Sequence, residues 1–188
     1  MIAVKVTLIA AAATSTARRA AFPSDVPLDG GCTRRVARLS AGPAAGCERV
    51  LISPQVAARQ TAEALGLVGE TVPALSDCDY GRWAGRSLEA VGSAEPEALA
   101  AWLGDEAAAP HGGESHRQLR ARVGQWLDGV AALGGRTIAV THAAVIRAAI
   151  VHAIEAGPRS FWRIDIAPLS RTLLTHSHDR WRLRGIGE

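Results

Sequence analysis

His142 stands where an apolar run, Thr137 to Thr141, gives way to an apolar helical stretch, Ala143 to Ile154. A strand passing into a helix puts that imidazole at the carboxyl end of a sheet, where open α/β folds gather their ligands. A ring there can exchange a proton or hold a polar group through its N–H. A lone histidine at such a junction also serves as a hydrogen-bonded structural residue, so its type alone leaves both roles open. Thr14 and Ser15 bring hydroxyls to the end of another apolar run, with no activating base evident beside them. His111 and His116 flank Gly112-Gly113-Glu114-Ser115, a loop whose histidines could line the mouth of a cleft or sit exposed. Metal chemistry finds little footing, because no His-x-x-x-His or Cys-x-x-Cys spacing occurs. The densest cluster, His176-Ser177-His178-Asp179, falls in an expected hairpin turn facing solvent. Neither metal nor cofactor is expected. Cys32, Cys47 and Cys78 match no zinc or redox motif and read as reduced thiols.

The elements that must hold these residues alternate. Ile2 to Ile9, Arg49 to Ser53, Thr71 to Leu75 and Thr137 to Thr141 read as strands. Between them, Ala57 to Leu65, Ser87 to Val91, Pro96 to Leu103 and Ser115 to Leu133 have helical spacing, as does Ala143 to Ile154. In the long helix, Leu119, Val123, Trp126 and Val130 recur every three or four residues and predict one buried stripe. Alternation on this scale implies an α/β fold, a three-layer α/β/α sandwich around a mostly parallel sheet. The tail differs: Phe161 to Ile166, Arg171 to His176 and Trp181 to Arg184 read as strands, the last two joined by a turn at Ser177 to Asp179. These suggest antiparallel or edge strands closing the sheet. The Gly- and Pro-bearing stretch Ala108 to Gly113 reads as a loop, not a boundary, and residues 1–188 are expected to form one domain.

Composition agrees with a packed core and excludes other classes. Of 188 residues, 48% are hydrophobic and 21% charged, and the net charge of +3 is not gathered into any Lys/Arg block. Nucleic acid is therefore not an expected partner. No stretch approaches the ~20 apolar residues of a membrane span, and a cytoplasmic setting is expected. Lys5 and the apolar run to Ala13 imitate a secretory leader. A single lysine is a poor positive region, however, and Val4, Val6, Leu8 and Ile9 read equally well as a buried first strand.

Five segments in order carry a resemblance: Val4 to Ile9 with Ala10-Ala11-Ala12-Ala13-Thr14, then Asp25-Val26-Pro27-Leu28, then Ser53-Pro54-Gln55-Val56-Ala57-Ala58-Arg59-Gln60-Thr61-Ala62. Leu75 to Gly85 follows with Gly112 to Ser115, and last comes Val140-Thr141-His142-Ala143-Ala144-Val145-Ile146-Arg147. The ordered set, covering nearly the whole chain, resembles the histidine phosphatase (phosphoglycerate mutase-like) superfamily. The resemblance implies that the first strand should end in Arg-His-Gly, the histidine being the nucleophile that is phosphorylated and the arginine a phosphate grip. Ala10, Ala11 and Ala12 stand there instead. Ala57 occupies the place of a second pocket arginine, Ala17 that of an asparagine, and Ala143 that of a glycine after the second histidine. What the resemblance retains is Thr14, the second pocket histidine at His142, and Asp77 where the mutase branch has a glutamate acting as general acid. Asp77 could equally be a loop hydrogen-bond acceptor.

Chemical consequences follow from those alanines. A methyl has no lone pair for in-line attack on phosphorus, so the covalent route is closed at Ala11. Each missing guanidinium would supply a charge-assisted contact worth roughly 1.5–3 kcal/mol, so losing two weakens phosphate binding by about a hundredfold to ten-thousandfold. Arg18 and Arg19, in the loop expected to cover the pocket, are candidate substitutes, and Arg59 lies about 200° around its helix from Ala57. The expected function is thus a degenerate member binding a small ligand or a protein partner, with Thr14, Arg18, Arg19, His111 and Glu114 as ligand-binding candidates. Two alternatives stand beside it: altered chemistry with His142 and Asp77 as an acid–base pair, or slow residual phosphatase or mutase activity by direct water attack. A homodimer is left open.

Overall fold

A computed structural model describes residues 4–31, 36 and 46–187. Cys32 and the first residues of the expected leading strand lie outside them. Six strands form one sheet: β1 (Val4–Ala10), β2 (Arg49–Ile52), β3 (Glu70–Thr71), β4 (Arg136–Thr141), β5 (Arg171–Ser177) and β6 (Arg180–Gly187). Their order is β3-β2-β4-β1-β5-β6. The first four run parallel, and β5 is antiparallel to both β1 and β6. This is the mostly parallel α/β sheet that alternation of elements predicts.

Period-two alternation assigns the two faces. Val4, Val6, Leu8 and Ala10 of β1, with Ala139 of β4, enter one core together with α5 (His116–Leu133) and α6 (Ala143–Ala153). Ile9, Ile52, Ile138 and Val140 point the other way, against α2 (Val56–Ala64). Leu119, Val123, Leu127 and Val130 form the buried stripe of α5, and Trp126 packs at its margin. Full burial of one such side chain contributes about 1.5–3 kcal/mol. Helix α6 is apolar almost all round, from Ala144 through Ala153, because it lies between the sheet and α5. The start of α5 is fixed by a capping box: Ser115 Oγ accepts from the Gln118 N–H, and Gln118 Oε1 accepts from the Ser115 N–H.

Short helices α1 (Ser15–Arg18), α3 (Leu88–Ala94) and α4 (Pro96–Gly104) also lie among the described residues. Phe22, Trp83, Val91 and Trp102 form a small core of their own beside α3 and α4.

Two expected strands are corrected. Thr71 to Leu75 pairs only through β3 and then tightens into a 3-10 turn at Pro73–Leu75, since proline cannot donate to a ladder. Phe161 to Ile166 does not join the sheet: Pro158–Arg163 is a 3-10 segment. Its aromatic residues look strand-like by type, yet Phe161 and Trp162 stack on His116. The expected tail hairpin is present. His178 and Asp179 both have positive φ, 52° and 56°, between the paired residues Ser177 and Arg180. Two left-handed central residues match the twist of the flanking strands.

Candidate ligand site

Register brings three strand ends together. Ala10 pairs with Thr141, while Ile9 and Ile52 both pair with Val140. The chain therefore leaves β1, β2 and β4 side by side at Ala11, Ser53 and His142. Backbone bonds close the junction: the Ala11 N–H donates to Thr141 O at 2.7 Å, and the Ser53 N–H to Val140 O at 2.9 Å. The Thr141 hydroxyl donates to Leu75 O at 2.6 Å, which draws the segment bearing Asp77 under the end of β4. Behind the alanine run, the Ala12 N–H donates to Thr61 Oγ1, whose own hydroxyl donates to Ala57 O.

His142 caps α6 in extended conformation, and its ring is held from behind. Ser53 Oγ lies 2.9 Å from Nε2 and accepts from the Gln55 N–H at 3.4 Å. Nδ1 faces Asp77 Oδ2 at 3.9 Å, and the two side chains are only 11% and 8% exposed. Asp77 Oδ1 accepts from the Cys78 N–H at 2.9 Å, and the Asp77 N–H donates to Gln55 Oε1 at 2.7 Å. Burial pushes the Asp77 carboxyl above its ordinary pKa, opposed in part by His142, the Cys78 N–H, Arg122 and Arg147.

A second brace holds the Asp77 loop. Arg122 on α5 meets Glu114 in a two-pronged ion pair at 2.9 and 2.7 Å, and its Nη1 donates to Ala74 O and Ser76 O. The neighbouring crossing admits only glycines. A Cβ on Gly81, whose φ is +47°, would lie 2.2 Å from His111 O, and one on Gly113 would lie 2.1 Å from Asp79 O.

These elements enclose a cavity of about 150 Å³. Ala10, Ala11, Ala12, Ala13 and Ala57 form much of its wall, with Thr14, Ala17, Ala143, His142 and Asp77 around it. These sequence candidates come together around one cavity. Among the described residues lining it there is no arginine or lysine, and its charged candidates beside His142 are the carboxylates Asp25 and Asp77.

Four sequence candidates are placed elsewhere. Arg18 is 63% exposed and pairs with Asp29, and Arg19 is exposed; neither lines the cavity. Glu114 is taken up by Arg122. His111 is buried, 2% exposed, against Trp83 and Tyr80, and its Nδ1 accepts from the Gly113 N–H. Burial also lowers its pKa, and burial lowers that of His116 to about 4. Conversely, Ser53, Gln55 and Asp25 belong to the site: the first orients His142, the second holds the Asp77 backbone, and Asp25 Oδ1 accepts from the Val56 N–H at the start of α2. All three stood in the segments carrying the resemblance, polar residues just past strand ends or in the facing loop.

Residues 10–188 match the histidine phosphatase superfamily (branch 1). The chain belongs to that superfamily. It is 30% identical over 133 residues to Bifunctional protein Rv2228c of Mycobacterium tuberculosis, a match that takes in 66% of this chain and 36% of that one. This chain therefore spans about a third of the length of that relative. Among solved structures, a histidine-to-alanine variant of phosphoserine phosphatase from Entamoeba histolytica, in complex with phosphoserine, superposes with a TM-score of 0.87 at 18% identity, covering 98% of this chain and 97% of that one. The alpha-ribazole phosphatase from Shigella flexneri gives 0.85 at 19% identity, covering 98% and 96%. At such identities these likenesses speak for the fold. No helix among the described residues is long and apolar enough to cross a membrane.

Proposed function

We propose that this member of the superfamily is a degenerate, ligand-binding domain that carries out no phosphoryl transfer through histidine. One observation carries the proposal: the cavity that holds His142 and Asp77 is walled by Ala10, Ala11, Ala12, Ala13 and Ala57, with no cationic side chain among its described lining residues. A transferring phosphoryl group spreads negative charge over its oxygens and needs donors and cations aimed at them. Here the carboxyl groups among the described lining residues, Asp77 and Asp25, repel a phosphate dianion when ionised. At about 150 Å³ the cavity suits a small, neutral or weakly charged group. His142 offers it a ring nitrogen and Asp77 a carboxyl. The free thiols Cys47 and Cys78 accord with a cytoplasmic setting.

A second proposal, acid–base chemistry on an unphosphorylated substrate, draws support from the 3.9 Å approach of His142 Nδ1 to Asp77 Oδ2. A base oriented from behind by Ser53 and a carboxyl with a raised pKa are a workable pair once a substrate lies between them. Ser53 itself is fully buried and absent from the cavity wall, so it orients His142 and is no nucleophile.

Hydrolysis of p-nitrophenyl phosphate by the purified protein tests the leading proposal. No turnover above buffer is expected. Robust turnover that disappears in His142→Ala would overturn it in favour of phosphatase action by direct water attack.

A further inference from the structure

Beside the small cavity lies a larger one of about 610 Å³, and the two share the walls formed by Ala21, Pro23, Asp77 and Ala143. Its character is different. Phe22, Tyr80 and Trp102 form its inner surface, while Leu88, Leu103 and Trp162 stand at its rim, 48%, 48% and 41% exposed. Large apolar side chains left in water near one opening mark a surface that something covers. A volume in the ligand-pocket range, aromatic walls and few polar groups describe a small-molecule site.

One of those polar groups is a cation. Arg147, on α6 one turn beyond His142, lines this annex with its side chain 26% exposed. Its Nε donates to Ile164 O at 2.8 Å, and the guanidinium carbon lies 5.9 Å from the centre of the Phe161 ring. The carbonyl and the ring fix the group without neutralising it. Its carboxylate neighbour, Asp165, is 4.0 Å away and fully exposed, so that pairing is weak. A guanidinium so held is pre-organised to receive a planar, two-oxygen anion. The small cavity has the opposite charge character, with Asp25 and Asp77 and no described cation.

We infer that the annex binds the apolar, aromatic body of a small carboxylate, whose negative group sits on Arg147 while any hydrogen-bonding end reaches Asp77 and His142 through the shared wall. This rests on the proposal above that the cleft is a ligand site without phosphate chemistry. A monocarboxylate is favoured over a phosphate ester because Arg147 is the one cationic side chain among the annex's described lining residues, and a single guanidinium pairs with one negative charge and not two.

Calorimetric titration of the full chain with 3-phenylpropionate tests the inference, with 3-phenylpropan-1-ol, propionate and inorganic phosphate as comparison ligands. The aryl carboxylate should bind at least about tenfold more tightly than the alcohol or propionate, and should change tryptophan emission because Trp102 and Trp162 line the site. Arg147→Met should weaken the carboxylate by about tenfold to hundredfold and leave the alcohol unchanged. Trp162→Ala, at an exposed position, should weaken both aromatic ligands together. Equal affinity for carboxylate and alcohol, undiminished carboxylate binding by Arg147→Met, or no binding of 3-phenylpropionate at millimolar concentration would each overturn the inference. The phosphate arm separates the two proposals. Failure of 3-phenylpropionate with phosphate also unbound overturns the annex alone, whereas tight phosphate binding overturns the proposed function whatever the carboxylate does.

Discussion

Replacing Arg122 with methionine should loosen the loop that carries Asp77. Arg122 makes two bonds to the Glu114 carboxylate and donates to the carbonyls of Ala74 and Ser76, so one side chain ties α5 to both loops behind the site. Removing one partner of a wholly buried pair costs about 3–5 kcal/mol, and an exposed pair is worth about 0.2–1 kcal/mol. Arg122 is 26% exposed and Glu114 16%, nearer the buried limit but with water at hand. The expected cost is about 2–4 kcal/mol, or a melting temperature lower by about 4–16 °C for a chain of this size. A double-mutant cycle with Glu114→Met isolates the pair: each single change strands a charge, so the double variant should be more stable than the sum of the singles implies, by about 1–3 kcal/mol. Urea denaturation of the four proteins supplies the numbers. A cost below about 1 kcal/mol for Arg122→Met, or simple additivity in the cycle, would refute this account of how Asp77 is held.

Asp77→Asn tests the electrostatics of burial. Because folding raises the Asp77 pKa, its contribution to stability is present below the unfolded value near 3.8 and is lost as pH rises through the higher folded value. Melting curves should show the asparagine variant gaining on the parent between pH 4 and pH 8, and an advantage that shrinks with rising pH would contradict the assignment. His116, packed on Trp102, Phe161 and Trp162, should titrate near its lowered value of about 4 in an NMR pH series, with stability falling as pH drops from 6.5 toward 4; a midpoint near 6.5 would show the ring is not buried as described. Gly81→Ala should cost about 2–4 kcal/mol, since the methyl meets the His111 carbonyl in a left-handed backbone conformation, and a neutral effect in denaturant would show that the crossing relaxes.

The sheet was largely legible because its strands speak through alternation. Val4, Val6 and Leu8 face one core and Ile9 the other, a pattern that survives without knowledge of neighbours. The α5 stripe and the His178-Asp179 turn are equally local signals. Phe161 to Ile166 misled for the opposite reason: aromatic residues favour strands by type, yet what places Phe161 and Trp162 is contact with His116, more than forty residues earlier in the chain. The lining of the candidate cavity was legible in its alanines, His142 and Asp77, all at or beside strand ends. Its supports were not. That Glu114 answers Arg122, that His111 fills an aromatic nest, and that Ser53 steers the His142 ring depend on how loops cross, which no spacing in the chain encodes. Arg18 and Arg19 show the same limit, since a loop position near a pocket does not tell which way a long side chain turns.

Equilibrium binding of orthovanadate or inorganic phosphate to the purified protein bears most directly on the central claim. With methyl groups at Ala10, Ala11 and Ala57 and two carboxylates on the cavity, neither anion should bind at micromolar concentration, and no phosphorylated residue should form with phosphate donors. Micromolar affinity for either anion, or a stable phosphoryl group on the chain, would contradict it.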